Sequence, residues 1–264
     1  MKTKAFLKAH TYSSMAFFAL LGASAWAPQA LSEVLVVPET ALLRLDNAFI
    51  ANKGFDDNDN AQVVIEGQLP NSCYSLAQSL VERDAQGFTL EIRQNAIVSR
   101  SGICENMDQL PPDLAAPRRF WKVLDLGLLA AGDYEIRFSG REAVQTKPFR
   151  IDIAPTDQTD TMAYVQVGNL FANDRIDSSA GEFEIRVTGE LTSSCAEISK
   201  DSRVERVGDV FVVLLGIERT EDFCLPANRP FYRILKVKAP EAGRYLVHAR
   251  SVGGESRNKI IEIF

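Results

Sequence analysis

Three groups of residues have the types and spacing that chemistry needs. Asp56, Asp57 and Asp59, interleaved with Asn58 and Asn60, are the densest set of oxygen ligands in the chain. Calcium takes six to eight oxygens, so this run is a candidate calcium loop. Read as an EF-hand loop from Asp56, however, its sixth position is Ala61 rather than glycine, and its twelfth is Gly67 rather than glutamate. The competing reading is a solvated turn between strands. His248 is the one histidine outside the first thirty residues. A general base in a Ser/His/Asp arrangement is its functional reading. No Gly-x-Ser-x-Gly elbow accompanies it, and a polar side chain on the wet face of a strand is the favoured expectation. Cys73, Cys104, Cys195 and Cys224 form the third group. They lack the close C-x-x-C pairs of a zinc site, so disulfides are expected instead. Neither a phosphate-cradling glycine loop nor any other cofactor motif is present in the sequence, and no cofactor is expected.

Carboxylate pairs for glycoside hydrolysis are too numerous to single out among 35 acidic residues. Most alternate with arginine, as Glu135 with Arg137 and Glu184 with Arg186, and read as cross-strand charge ladders.

The first residues predict export. Lys2, Lys4 and Lys8 precede an apolar run from Met15 to Ala27, with no acid before Glu33. This is the layout of a secretory signal, and the run is shorter than the roughly 20 apolar residues a membrane-spanning helix needs. Ala23-Ser24-Ala25 places the expected cut after residue 25, which leaves no transmembrane span in the mature chain. Cleavage removes three lysines and no acids, taking the net charge from −6 to −9. An acidic chain argues against nucleic acid and against an anionic membrane surface as partners. The expected location is periplasmic or secreted, where disulfides persist.

The elements that hold these residues occur twice. Gly67-Gln68-Leu69-Pro70-Asn71-Ser72-Cys73 returns 122 positions later as Gly189-Glu190-Leu191-Thr192-Ser193-Ser194-Cys195. Phe120-Trp121-Lys122-Val123-Leu124, with Gly132 and Tyr134, returns 111 positions later as Phe231-Tyr232-Arg233-Ile234-Leu235, with Gly243 and Tyr245. Two homologous domains in tandem are therefore expected: residues 26–154 and 162–264, joined by a polar linker at 155–161. If each unit closes its own loop, Cys73 pairs with Cys104 and Cys195 with Cys224. Such loops of about 30 residues contribute about 3.5 kcal/mol each in the chain-entropy model.

Within each unit the apolar period is two. Phe88-Thr89-Leu90-Glu91-Ile92, Tyr134-Glu135-Ile136-Arg137-Phe138 and Phe183-Glu184-Ile185-Arg186-Val187 alternate as half-buried antiparallel strands do. Val210 to Ile217, apolar nearly throughout, reads as a more central strand. Tyr74 to Asp84 fits either a strand or a short helix. About seven strands per unit predict an all-β chain of two antiparallel β-sandwiches.

The run Gly132-Asp133-Tyr134-Glu135-Ile136-Arg137-Phe138 and the motif Gly67-x-Leu69-Pro70-x-x-Cys73 resemble those of immunoglobulin-like domains of secreted bacterial proteins. The resemblance implies two tandem immunoglobulin-like domains and an exported location, and no activity. The cysteine spacing is about half that of antibody-type domains. The bonds are therefore expected to pin a strand or loop locally.

One asymmetry separates the repeats. Sixteen positions run from Cys104 to Phe120 but only seven from Cys224 to Phe231, so the first unit carries nine extra residues. This segment is rich in proline and apolar residues and ends in Arg118-Arg119-Phe120-Trp121, a composition suited to interface anchors. Leu110, Leu114, Arg118 and Arg119 are the candidate partner-binding residues. The leading expectation is a non-enzymatic envelope module that binds a protein or glycan or serves as a structural spacer. The alternatives are a protease inhibitor using the Leu110–Arg119 loop, and a carbohydrate-active enzyme with an unrecognised carboxylate pair.

Overall fold

Two apolar stripes per strand, rather than one, organise the centre of this molecule. A computed structural model describes residues 39–51, 55–155, 163–220 and 223–264, all of them within one compact unit. The expected leader (1–25) lies outside the described residues, as does all of the expected linker except Pro155.

The first half contributes β1 (Glu39–Leu43), β2 (Leu45–Ile50), β3 (Asn60–Leu69), β4 (Tyr74–Arg83), β5 (Thr89–Val98), β6 (Arg118–Leu128), β7 (Gly132–Ser139) and β8 (Val144–Ile151). The second half contributes β9 (Gln166–Phe171), β10 (Arg175–Ile176), β11 (Glu182–Ser193), β12 (Ala196–Ile198), β13 (Arg203–Val207), β14 (Val210–Leu214), β15 (Ile217–Arg219), β16 (Pro226–Lys238), β17 (Gly243–Arg250) and β18 (Ser256–Ile263). The chain is all-β, as its alternation predicts.

The repeat is visible in the strand order. One sheet of the first half runs β4-β5-β7-β8, with β1 beside β5, and the other runs β2-β3-β6. In the second half β13-β14-β17-β18 and β9-β11-β16 take the same places. Three pairings among the described strands depart from wholly antiparallel sandwiches. β5 pairs with β7 in parallel, β14 with β17 likewise, and the short β10 with β18. Alternation reports which face of a strand is dry and carries no information on strand direction, so such pairing is not legible from it.

Tyr74 to Arg83 is a strand. A bulge between Leu76 and Ser79 interrupts its alternation, which is why its sequence fits a helix equally well. The buried Gln94 fills the bulge: its Nε2 donates to the carbonyls of Ala77 and Asn95, and Ser79 Oγ donates to its Oε1. The Gly253-Gly254 turn joins β17 to β18 with both residues at positive φ, 72° and 74°, which glycine adopts without steric cost.

The halves share a core. On β14, Val210, Val212 and Leu214 belong to the apolar cluster centred on the first half, while Phe211 and Val213 belong to that of the second. On β17, Leu246 belongs to the first cluster, and Tyr245, Val247 and Ala249 to the second. These strands are thus buried on both sides. The outer face of the second half's larger sheet lies against the outer face of β2-β3-β6. Val64, Gln62 and Glu66 of β3 occupy the opposing side, with Ser256 Oγ donating to Gln62 Oε1 at 2.6 Å.

Candidate functional site

Two of the three groups marked in the sequence, the acidic run and His248, converge on this covered face. Arg250, at the end of β17, reaches back across the halves to Asp59, its Nη2 lying 2.7 Å from Oδ1 with both side chains 3% exposed. Its guanidinium also lies between the rings of Phe55 and Tyr164, 5.2 and 5.1 Å from their centroids. That arrangement suits a desolvated cation held by π faces. Asp59 Oδ2 accepts from the Asp56 amide, Asp56 Oδ1 from the Asn58 amide, and Asp57 Oδ1 from the Ala154 amide. Burial pushes the Asp59 carboxyl above its ordinary value, and Arg250 works in the opposite direction.

The acidic run is therefore neither a solvated turn nor an open set of oxygen ligands. Asp56 and Asp59 are buried, and their oxygens accept from the protein's own donors. A calcium ion there would have to displace Arg250, whose charge already meets Asp59.

His248 departs from its expected place. It is 2% exposed, packed edge-on against Phe55 at 5.7 Å, with Nδ1 2.8 Å from Asn258 Oδ1. Asn258 Nδ2 donates to Ser256 Oγ, which turns its carbonyl oxygen toward the imidazole and places the ring proton on Nδ1. Nε2 is left buried without a hydrogen-bond partner. Burial, with a smaller push from Arg250, lowers the pKa to about 4 against the contrary effect of the hydrogen bond His248 donates to Asn258. A base so enclosed has no route to a substrate. Sequence reasoning treated this face as wet because β17, taken alone, has only one dry side. A usable signal lay in the repeat: Leu246 and His248 stand where the first half has Glu135 and Arg137.

A second buried ion pair flanks the first. Glu66, 2% exposed, accepts from Arg244 through Nε at 2.9 Å and through Nη2, and Arg119 Nη1 approaches to 3.4 Å. Arg119 is thereby a strand residue of β6 with a partner inside the fold. Arg118 Nη2 donates to the Tyr74 carbonyl. The Glu135–Arg137 and Glu184–Arg186 pairs form along one strand, at 2.5 and 3.0 Å, rather than across strands as expected. Residues two apart on a strand share a face, which suffices for contact.

The other candidate surface is the end of the sandwich bearing the bridges. Cys73 pairs with Cys104 and Cys195 with Cys224, each with Cα atoms 5.6 Å apart. Each bond joins the turn after one strand (β3 or β11) to the loop before that strand's sheet neighbour (β6 or β16), and so pins a loop locally. The Ser99 amide donates to the Cys73 carbonyl, and the Thr220 amide to that of Cys195. Likewise the Ser72 amide donates to Leu114, and the Ser194 amide to Leu225. Leu114 is thus the counterpart of Leu225, and the nine extra residues are Glu105 to Asp113. They form short turns at Met107–Gln109 and Pro112–Ala115, with Leu110 part-exposed between them. Beside the two bridges Ile103 and Phe223 are exposed, Phe223 to 80%.

Comparison with family models, curated proteins and solved structures returned no match.

Proposed function

We propose that this is an exported, non-enzymatic envelope protein: two immunoglobulin-like sandwiches fused into one body that presents its bridged end to a protein or glycan partner. The carrying observation is the Glu105–Asp113 insertion. It is held between a disulfide and the Ser72–Leu114 hydrogen bond, at the place where the halves differ most in length. A loop anchored at both ends loses little ordering entropy on binding. Its helical turns favour a rigid contact loop over a protease inhibitor's extended segment, which would add to a cleft as a strand.

Two further observations support the reading. The residues best suited to catalysis, His248, Asp59 and Glu66, lie inside the interface between the halves. Tyr134 Oη donates to the Ala130 carbonyl and Tyr245 Oη to that of Glu241, each four residues upstream, an arrangement like the tyrosine corner of immunoglobulin sandwiches. The parallel β5–β7 pairing sets these sandwiches apart from the antibody type.

The test is crosslinked capture from the native envelope, comparing the full chain with one lacking Glu105 to Asp113. Loss of a specific partner with an unchanged thermal transition is expected. Equal capture by both would remove the loop from the reading, and turnover in a glycan or peptide activity screen would remove the non-enzymatic assignment.

A further inference from the structure

The outer face of β9-β11-β16 repeats a face that the first half has already covered. Across β2-β3-β6 one row reads Phe49, Val64, Val123 and the next Asn47, Glu66, Trp121. Across β9-β11-β16 the same rows read Phe171, Arg186, Ile234 and Asn169, Thr188, Tyr232. Phe49 is fully buried beneath the second half, whereas its counterpart Phe171 is 53% exposed, with Tyr232 at 55% and Ile234 at 45%. An apolar row that is an interface in one repeat is thus presented bare in the other.

The occupant follows from charge. The outward residues of β11 read Glu184, Arg186, Thr188, Glu190. A two-fold axis across the strand at Thr188 sets Arg186 of one copy opposite Glu190 of the other, and the converse. The same axis carries the row Phe171, Arg186, Ile234 onto Gln166, Glu190, Pro230 of the other copy. Gln166, Glu190 and Pro230 line a groove of about 460 Å³ together with Gly168, Gly189 and Phe231. Phe231 fills the side-chain space at Gly189, so the room for an incoming side chain lies over Gly168, where a Cβ would meet nothing nearer than 3.6 Å. The charged alternative is weaker. The first half's remaining sheet face carries Glu91, Arg93, Glu135 and Arg137, paired along their strands as Arg186 is with Glu184, and no aromatic side chain stands among them.

We propose that the outer face of β9-β11-β16 is the contact surface of an isologous dimer, in which Phe171 and Ile234 of one copy seat in the glycine groove of the other. Sheets packed face to face in this way cross at about −30°.

Sedimentation of the disulfide-intact mature protein between about 1 and 100 µM tests this. A concentration-dependent dimer is expected. Arg186→Glu or Glu190→Arg alone should weaken it at least about tenfold, and the double charge swap should restore it. Phe171→Ser with Ile234→Ser should give monomer whose circular dichroism and thermal transition match the parent. A parent that stays monomeric at 100 µM overturns the proposal. So does a dimer that survives the serine variants, because it forms through another face, and so does a double swap that fails to recover association.

Discussion

Gly67 and Phe120 face each other across β3 and β6, and the phenyl ring occupies the space a side chain at position 67 would need. A Cβ there would meet Phe120 Cζ at 2.9 Å and the Arg44 carbonyl at 3.0 Å. Gly189 and Phe231 repeat the arrangement, with the Gln166 carbonyl only 2.0 Å from a Cβ. The recurring glycine and the recurring phenylalanine, far apart in sequence, are thus one packing unit. Gly67→Ala should cost about 1–3 kcal/mol. Gly189→Ala should cost more, because the backbone carbonyl a Cβ would meet lies at 2.0 Å there and at 3.0 Å at Gly67. Urea denaturation of the two variants checks the order.

His248 makes stability depend on pH in a defined window. Its folded pKa of about 4 lies below the unfolded value near 6.5, so the native state resists protonation. The stability this imidazole leaves intact is full above about pH 6.5 and declines as pH falls toward 4. The loss is about 3 kcal/mol by pH 4. His248→Gln should flatten that part of the curve, measured by denaturation at pH 7, 5.5 and 4. A parent curve level from pH 7 to 4 would contradict this.

Breaking the Asp59–Arg250 pair should be far costlier than replacing it. Arg250→Met leaves a buried carboxylate without its cation and is expected to cost about 3–5 kcal/mol. Adding Asp59→Leu should recover a large part of that loss, giving a coupling that a double-mutant cycle reads directly.

The bridges should prove independent of each other. Replacing Cys73 and Cys104 with serine is expected to cost about 3.5 kcal/mol on the loop-closure estimate, and to leave Cys195–Cys224 formed. Peptide mapping of the oxidised protein should find no link between the halves.

How much of this was legible beforehand differs by feature. Strand positions follow from two-residue alternation, and disulfide partners follow from there being two cysteines in each repeat. Both are local or duplicated signals. The burial of His248, Arg250 and the acidic run was not legible, because it depends on one half covering the other. A strand's outward face reads as polar until its partner is known. The contrast between repeats carried the information: Val210 and Val212 occupy the register positions of Thr89 and Glu91, and Leu246 that of Glu135. The insertion was legible as a length difference. Its anchor at Leu114 was not, since a backbone hydrogen bond leaves no mark on residue type. For the same reason Arg118 and Arg119 read as loop residues although they begin β6.

Because β17 has no solvent side, the first half cannot stand in for the second. A copy of the first half in the C-terminal place would bring its Glu135 and Arg137 down onto the face that carries Val64 and Phe49, stranding their charges away from water. The apolar outward residues of β14 and β17 make each half the cover of the other.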